Sequence, residues 1–297
     1  MNFLEQSLDG RNQAGKYALV IIFGFIGGQI LGALPLLKYV NQSGQTTMDF
    51  GTMGLDLNFG MILMLLPFIV SLILCVLLVK VLHKRSFSQT VNGTAKIRWA
   101  RVGYAAGLWA VLMVVYILFE LAVDPDNIAF QLNWSAFLPL VVVAVLLIPL
   151  QTTCEEYLLR GYFTQGVAGL TKSRWLAVLV PGLIFALMHA FNPEVQAHGF
   201  WIVMPQYLTF GVVFGLLSVL DDGIELAMGA HAVNNVFLCL FLTNKDSVLQ
   251  TAAVFEQLEM NPVRDTISLM VLSVVFFIIL YKKFHWDLSL LGRRVQK

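Results

Sequence analysis

Apolar runs long enough to cross a lipid bilayer recur along the whole chain, and they restrict its fold more than any other feature. A helical span needs roughly 17–25 predominantly apolar residues. In lipid every backbone polar group has to be satisfied internally, which favours helices. Eight spans are read, near 17–37, 59–82, 102–123, 135–170, 175–190, 200–220, 224–242 and 266–281. Composition agrees: 58% of residues are hydrophobic and 12% charged, against about 25% charged in a soluble domain. Mean hydropathy is +0.76. The expected fold class is all-α, a polytopic membrane protein of about eight transmembrane helices, with residues 1–297 forming a single transmembrane domain.

Eight spans put both termini on one side, and Lys and Arg concentrate in cytoplasmic segments. With the N-terminus inside, the inner segments hold every Lys and Arg except Lys38, Lys245 and Arg264, from Arg11 and Lys16 to Arg293, Arg294 and Lys297. The expected orientation is N-in and C-in. The lipid bilayer is one partner. Nucleic acid is not expected, because no basic cluster is interleaved with aromatics. A cleavable signal peptide is not expected either: the first sixteen residues are polar, and the run after them is long enough to span. Cys75, Cys154 and Cys239 lie in apolar segments without CxxC spacing, which argues against a zinc ribbon or disulfide framework. Cys154 invites reading as a nucleophile, but a small buried apolar side chain is the simpler role.

Several features read as structural. Gly24, Gly28 and Gly32 form a small-residue ridge suited to close helix packing. The loop 38–58 carries Asp49 and Asp56, Glu120 falls at the far end of its span, and Trp134 reads as an interfacial anchor. Asp221, Asp222 and Gly223 read as a solvated tight turn.

The stretch 151–163, QTTCEEYLLRGYF, is different. It follows nineteen residues, Ser135–Thr153, without a charge. A charged side chain at mid-helix costs roughly 2.5–3.5 kcal/mol on insertion scales. Glu156 and Arg160 are an i, i+4 pair in the favoured order, so each neutralises the other. Glu155 is turned about 100° away and stays free for another partner. Measured from the turn 171–174, Glu155 and His189 both lie roughly 22–24 Å along antiparallel helices, so they are level. His231 reaches that depth only if the turn at 221–223 dips into the protein. His231 and Asn235 share a face at i, i+4, as do Phe185 and His189, which sets an aromatic wall beside the imidazole. Each cluster has a bland reading: a histidine bonded between helices, a structural Glu–Arg clamp, or bridging by Asn234 and Asn235. Their conjunction within three spans favours function, since intramembrane ionisable groups are functional by default.

These residues resemble a known family. EEYLLR fits EExxxR, FALMH fits FxxxH, and HAVNN fits HxxxN, in that order on successive apolar segments. The ordered set is the signature of the CPBP intramembrane proteases, also called the Abi or CAAX prenyl protease type 2 family, and the similarity covers 135–242 as a catalytic core. The resemblance implies an intramembrane endopeptidase acting on a peptide or membrane-protein substrate. It implies that Glu155 and His189 activate a water, that His231 and Asn235 stabilise the oxyanion, and that Glu156, Arg160 and Phe185 support them. It also points to a prokaryotic cytoplasmic (inner) membrane. The cofactor stays open between none and zinc. Glu155, His189 and His231 would form a His2Glu set with one open position, but HExxH is absent, which favours the metal-free reading. Access is expected from the cytoplasmic side, where the turns nearest Glu155 and His231 face. Two alternatives remain: an ion- or proton-coupled transporter, and a non-catalytic immunity or scaffold protein.

Overall fold

Long apolar runs become long helices. The computed structural model describes residues 3–8, 12–43 and 54–296; Asp49, with Arg11 and Lys297 of the charge count, lies outside them. Six described helices are long and apolar enough to cross a membrane. They are α1 (Ala14–Gln42), α2 (Leu57–His83), α4 (Trp99–Val123), α5 (Trp134–Thr171), α8 (Phe200–Leu220) and α10 (Pro262–Phe284). The two shortest expected spans are shorter helices, α6 (Arg174–Met188) and α9 (Glu225–Phe241). Two more short helices were not anticipated, α3 (Phe87–Asn92) and α7 (Pro193–His198). The outer surfaces of the long helices stay apolar: Val111, Leu118, Leu146 and Ile267 are all more than half exposed. So much exposed apolar surface is not tolerated in water, and it is the surface that faces lipid. The protein is an all-α polytopic membrane protein.

Among the described residues strands are confined to three short segments, β1 (Ile128–Phe130), β2 (Leu242–Thr243) and β3 (Phe255–Gln257), in the order β1-β3-β2. β3 pairs antiparallel with β1 and parallel with β2. This sheet ties the segment after α9 to the segment before α5.

Small residues allow a close helix crossing. α1 packs along α2, and a Cβ on Gly28 or Gly32 would overlap the backbone of Ser71 or Pro67. On Gly24 it would come within 2.9 Å of the Cys75 Sγ. Gly28→Val therefore forces the helices apart and should cost about 1–3 kcal/mol, read as a lower Tm in detergent. Gly107→Ala, with nothing within 4 Å of the added Cβ, should leave Tm unchanged or slightly raised.

The helix α5 organises the site. At 38 residues it runs for about 57 Å, further than a bilayer core requires. Its first half presents Leu138, Val142 and Leu146 outward, whereas from Gln151 to Ala168 nearly every side chain is buried by neighbouring helices. Both glutamates and Arg160 fall in this wrapped half. The charges are thus held in a protein interior rather than in lipid. Residues Tyr157–Phe163 of α5 are wound as a π-helix, a local widening that recurs at functional sites. The Thr164 hydroxyl there lies 3.0 Å from the Leu159 carbonyl and 3.1 Å from that of Ala177, tying α5 to α6.

One structural expectation is corrected. Asp221 is not a solvated turn residue but is 5% exposed. Its carboxylate meets Arg98 at 3.3 Å and Arg101 at 3.5 Å, and accepts from Trp286 Nε1 at 3.1 Å. Burial pushes its carboxyl above the ordinary range, and Arg98 and Arg101 oppose that shift. Glu225 takes the same Arg98 guanidinium at 2.5 Å. The turn is sunk because α9 starts inside the bundle, which brings His231 to depth. Glu120, at the far end of its span, is also buried, at 1% exposure, and meets Arg264 at 2.8 Å.

Candidate active site

Three helices bring the motif residues to one cavity of about 610 Å³. Its wall includes Glu155 of α5, Phe185 and His189 of α6, and His231 and Asn235 of α9. α9 packs against both α4 and α5, and α6 packs against α8. The sequence-level convergence of these five side chains is what the structure displays.

The two glutamates differ as expected, with one addition. Glu156 Oε1 accepts from Arg160 Nη1 at 3.0 Å, and neither side chain is exposed. The same oxygen lies 2.8 Å from His231 Nδ1. Glu156 therefore holds two partners, and the second, seventy-five positions away in sequence, was not anticipated. It fixes the imidazole orientation: with Nδ1 on Glu156, Nε2 is turned to the cavity, 3.6 Å from Glu155 Oε2 and 3.5 Å from Asn235 Nδ2. Glu155 is 5% exposed, and at 3.6 Å the His231 contact is electrostatic rather than a hydrogen bond.

His189 is oriented by its own helix. It is the C-cap of α6 rather than an interior residue, where the backbone is free to turn. Its Nδ1 lies 2.7 Å from the Phe185 carbonyl. That carbonyl accepts only, so Nδ1 carries a proton. The ring is clamped between Phe185 (centroids 4.6 Å) and Tyr207 (4.3 Å, nearly parallel). Phe185 also carries the Arg160 guanidinium over its face at 4.1 Å and sits edge-on to His231 at 5.8 Å. One aromatic side chain thus touches three of the charged or titratable groups.

Sequence reasoning missed the second ring of polar residues. Gln151 lies one turn before Glu155 and accepts from Asn235 Nδ2 at 3.5 Å. Glu194 accepts from the Tyr207 hydroxyl and from Asn192 at 3.0 Å, at the cavity wall beside His189. The i, i+4 spacing of Gln151 and Glu155 was a usable signal. Nothing in sequence placed Tyr207 or Glu194.

The donor set does not make a metal site as arranged. Among the described residues no three His, Cys, Asp or Glu side chains converge on a point. His231 Nδ1 and His189 Nδ1 are held by Glu156 and by the Phe185 carbonyl, which leaves Nε2 of each ring uncommitted to those partners. Cys154 is a free thiol, buried at 1% exposure, as packing requires.

The cavity also has a direction. Its wall takes residues from the start of α2 and α10, from Asn192 and Glu194, and from the segment between β2 and α10, including Ser247 and Met260. All belong to the end of the bundle opposite the turns 171–174 and 221–223.

Comparison with known proteins agrees with the geometry. Residues 133–237 match the family model described as type II CAAX prenyl endopeptidase Rce1-like. This match falls on the segment that carries the three motifs and supports a similarity to the CPBP/CAAX protease family. The chain is also 29% identical over 282 residues to the uncharacterized protein YyaK of Bacillus subtilis (strain 168), covering 93% of this chain and 94% of that one. No solved structure matches it.

Proposed function

We propose that the protein is an intramembrane endopeptidase that hydrolyses a peptide bond with a water activated by Glu155 and His189. The observation that carries this reading is the cavity itself, which holds a carboxylate, an imidazole Nε2 and an amide donor on three different helices. Water between Glu155 and His189 gives its proton to the carboxylate as its oxygen attacks the carbonyl carbon. The C–N bond then breaks and the proton passes to the leaving amine. Asn235 Nδ2 and His231 Nε2 donate to the oxyanion. Donors preorganised in a water-poor site contribute a few kcal/mol each. Glu156 on Nδ1 aims Nε2 at the cavity, and Nε2 donates only in the doubly protonated ring. No step is routed through a metal. The substrate is a peptide or membrane protein, and the location is a prokaryotic cytoplasmic membrane.

The charge distribution supports N-in and C-in, which sets the cavity toward the non-cytoplasmic side. A cysteine introduced at Ser247 in a Cys-free background should then react with an impermeant maleimide in intact cells. Labelling only after permeabilisation would reverse the orientation.

The activity is tested in proteoliposomes with a library of membrane-tethered peptides. Wild type should cleave at least one, His189→Ala should lose cleavage by about 10²–10⁴-fold, and a chelator should leave the rate unchanged. Loss of cleavage on chelation, restored by zinc, would replace the metal-free reading. An ion flux abolished by Glu155→Ala, without cleavage, would favour the transporter. No cleavage and no flux would favour the scaffold.

A further inference from the structure

We propose that Trp109 is a positioning residue that fixes the amide of Asn235 as a donor toward the cavity, acting through Asn234. The proposal rests on the peptidase reading above. An asparagine amide presents either an acceptor or a donor to a site, and only the donor helps an oxyanion. Something has to choose between the two faces.

The choice is traceable atom by atom. An indole N–H donates and cannot accept. Trp109 Nε1 lies 3.2 Å from Asn234 Oδ1, with Trp109 fully buried and Asn234 5% exposed. Asn234 therefore turns its carbonyl to α4 and its amide nitrogen away. That nitrogen donates to Asn235 Oδ1 at 3.1 Å. With its carbonyl occupied, Asn235 turns Nδ2 to Gln151 Oε1 and His231 Nε2, both at 3.5 Å. Contacts of that length are weak, so the amide hydrogens are available to an incoming oxygen. A donor-only group thus sets two amides in series. The indole is itself held edge-on by Phe276 of α10 at 4.9 Å and flanked by Phe210 of α8 at 5.9 Å. Trp109 lies outside residues 133–237, so the segment bearing the motifs depends on a helix that carries none of them.

The test uses the full chain in proteoliposomes with a peptide that wild type cleaves. Trp109→Phe keeps the ring and removes the donor; it should lower kcat about tenfold, one hydrogen bond's worth, with KM unchanged. Asn234→Leu, which breaks both links, should lower kcat further. In an Asn235→Ala background Trp109→Phe should cause no additional loss, because no amide remains to orient. A packing role would give the same loss in both backgrounds, and that result, or wild-type kcat in Trp109→Phe, overturns the proposal. The relay also has a readout free of activity. The Trp109 indole ¹H–¹⁵N resonance, assigned by its disappearance in Trp109→Phe, should shift in Asn234→Leu; an unmoved resonance overturns the relay. Failure of wild type to cleave any peptide would remove the peptidase reading and with it the role for Asn235, whereas cleavage with additive losses removes the role of Trp109 alone.

Discussion

Glu155→Gln should abolish peptide cleavage, with kcat reduced by about 10²–10⁴-fold and Tm preserved. Both halves of the expectation come from the environment of the side chain. Glu155 faces the cavity, and its ionic contact among the described residues, His231 Nε2 at 3.6 Å, is too long to hold the fold together. Glutamine fills the same volume and removes a buried charge, so stability should hold or rise. It cannot accept the proton of the attacking water, so the chemical step fails while peptide binding persists. A loss confined to kcat is the mark of an interaction made in the transition state. A Tm drop of many degrees would instead make Glu155 a structural residue.

The second large effect concerns its neighbour, and there stability moves first. Arg160 and Glu156 are both fully buried, and Arg160 Nη2 also donates to the Phe210 carbonyl at 3.3 Å. Arg160→Met leaves the Glu156 carboxylate with only His231, and breaking a buried pair on one side costs about 3–5 kcal/mol. That is a large part of the stability of an ordinary domain. The double variant Glu156→Leu/Arg160→Met should recover most of the lost Tm, because an apolar pair of similar volume is often neutral or stabilising. It should not recover activity, because His231 Nδ1 loses the acceptor that aims Nε2 at the cavity. Thermal unfolding and cleavage measured on the same three proteins separate the two contributions. An active double variant would show that Glu156 does nothing for His231.

The contrast between these glutamates was partly legible in sequence. Helical spacing alone separated Glu155 from the Glu156–Arg160 pair, because i, i+4 geometry is local. The contact of Glu156 with His231 was not legible, since it depends on how α9 is rotated against α5. The eight apolar helices were legible from length and hydropathy, and their bounds shifted by only a few residues. The π-helical turn at Tyr157–Phe163 was not, because it answers to packing and to the Thr164 hydroxyl rather than to any local propensity. The buried turn at Asp221 was misread for a related reason. Two aspartates and a glycine look solvated until Arg98 and Arg101, more than a hundred positions earlier, are seen to meet the first of them. The side of access was read from the turns nearest Glu155 and His231, whereas the cavity wall also takes residues from the other half of the same helices.

The central claim is that Glu155 activates a water rather than forming a covalent intermediate, and isotope transfer tests it most directly. Wild type is allowed many turnovers on its peptide in H₂¹⁸O, and both the product and the protein are then mapped by mass spectrometry. One ¹⁸O is expected in the new carboxyl terminus of the product, none in the peptide carrying Glu155, and no acyl adduct on Cys154. Label in Glu155, or an acyl group trapped on Cys154, would contradict it.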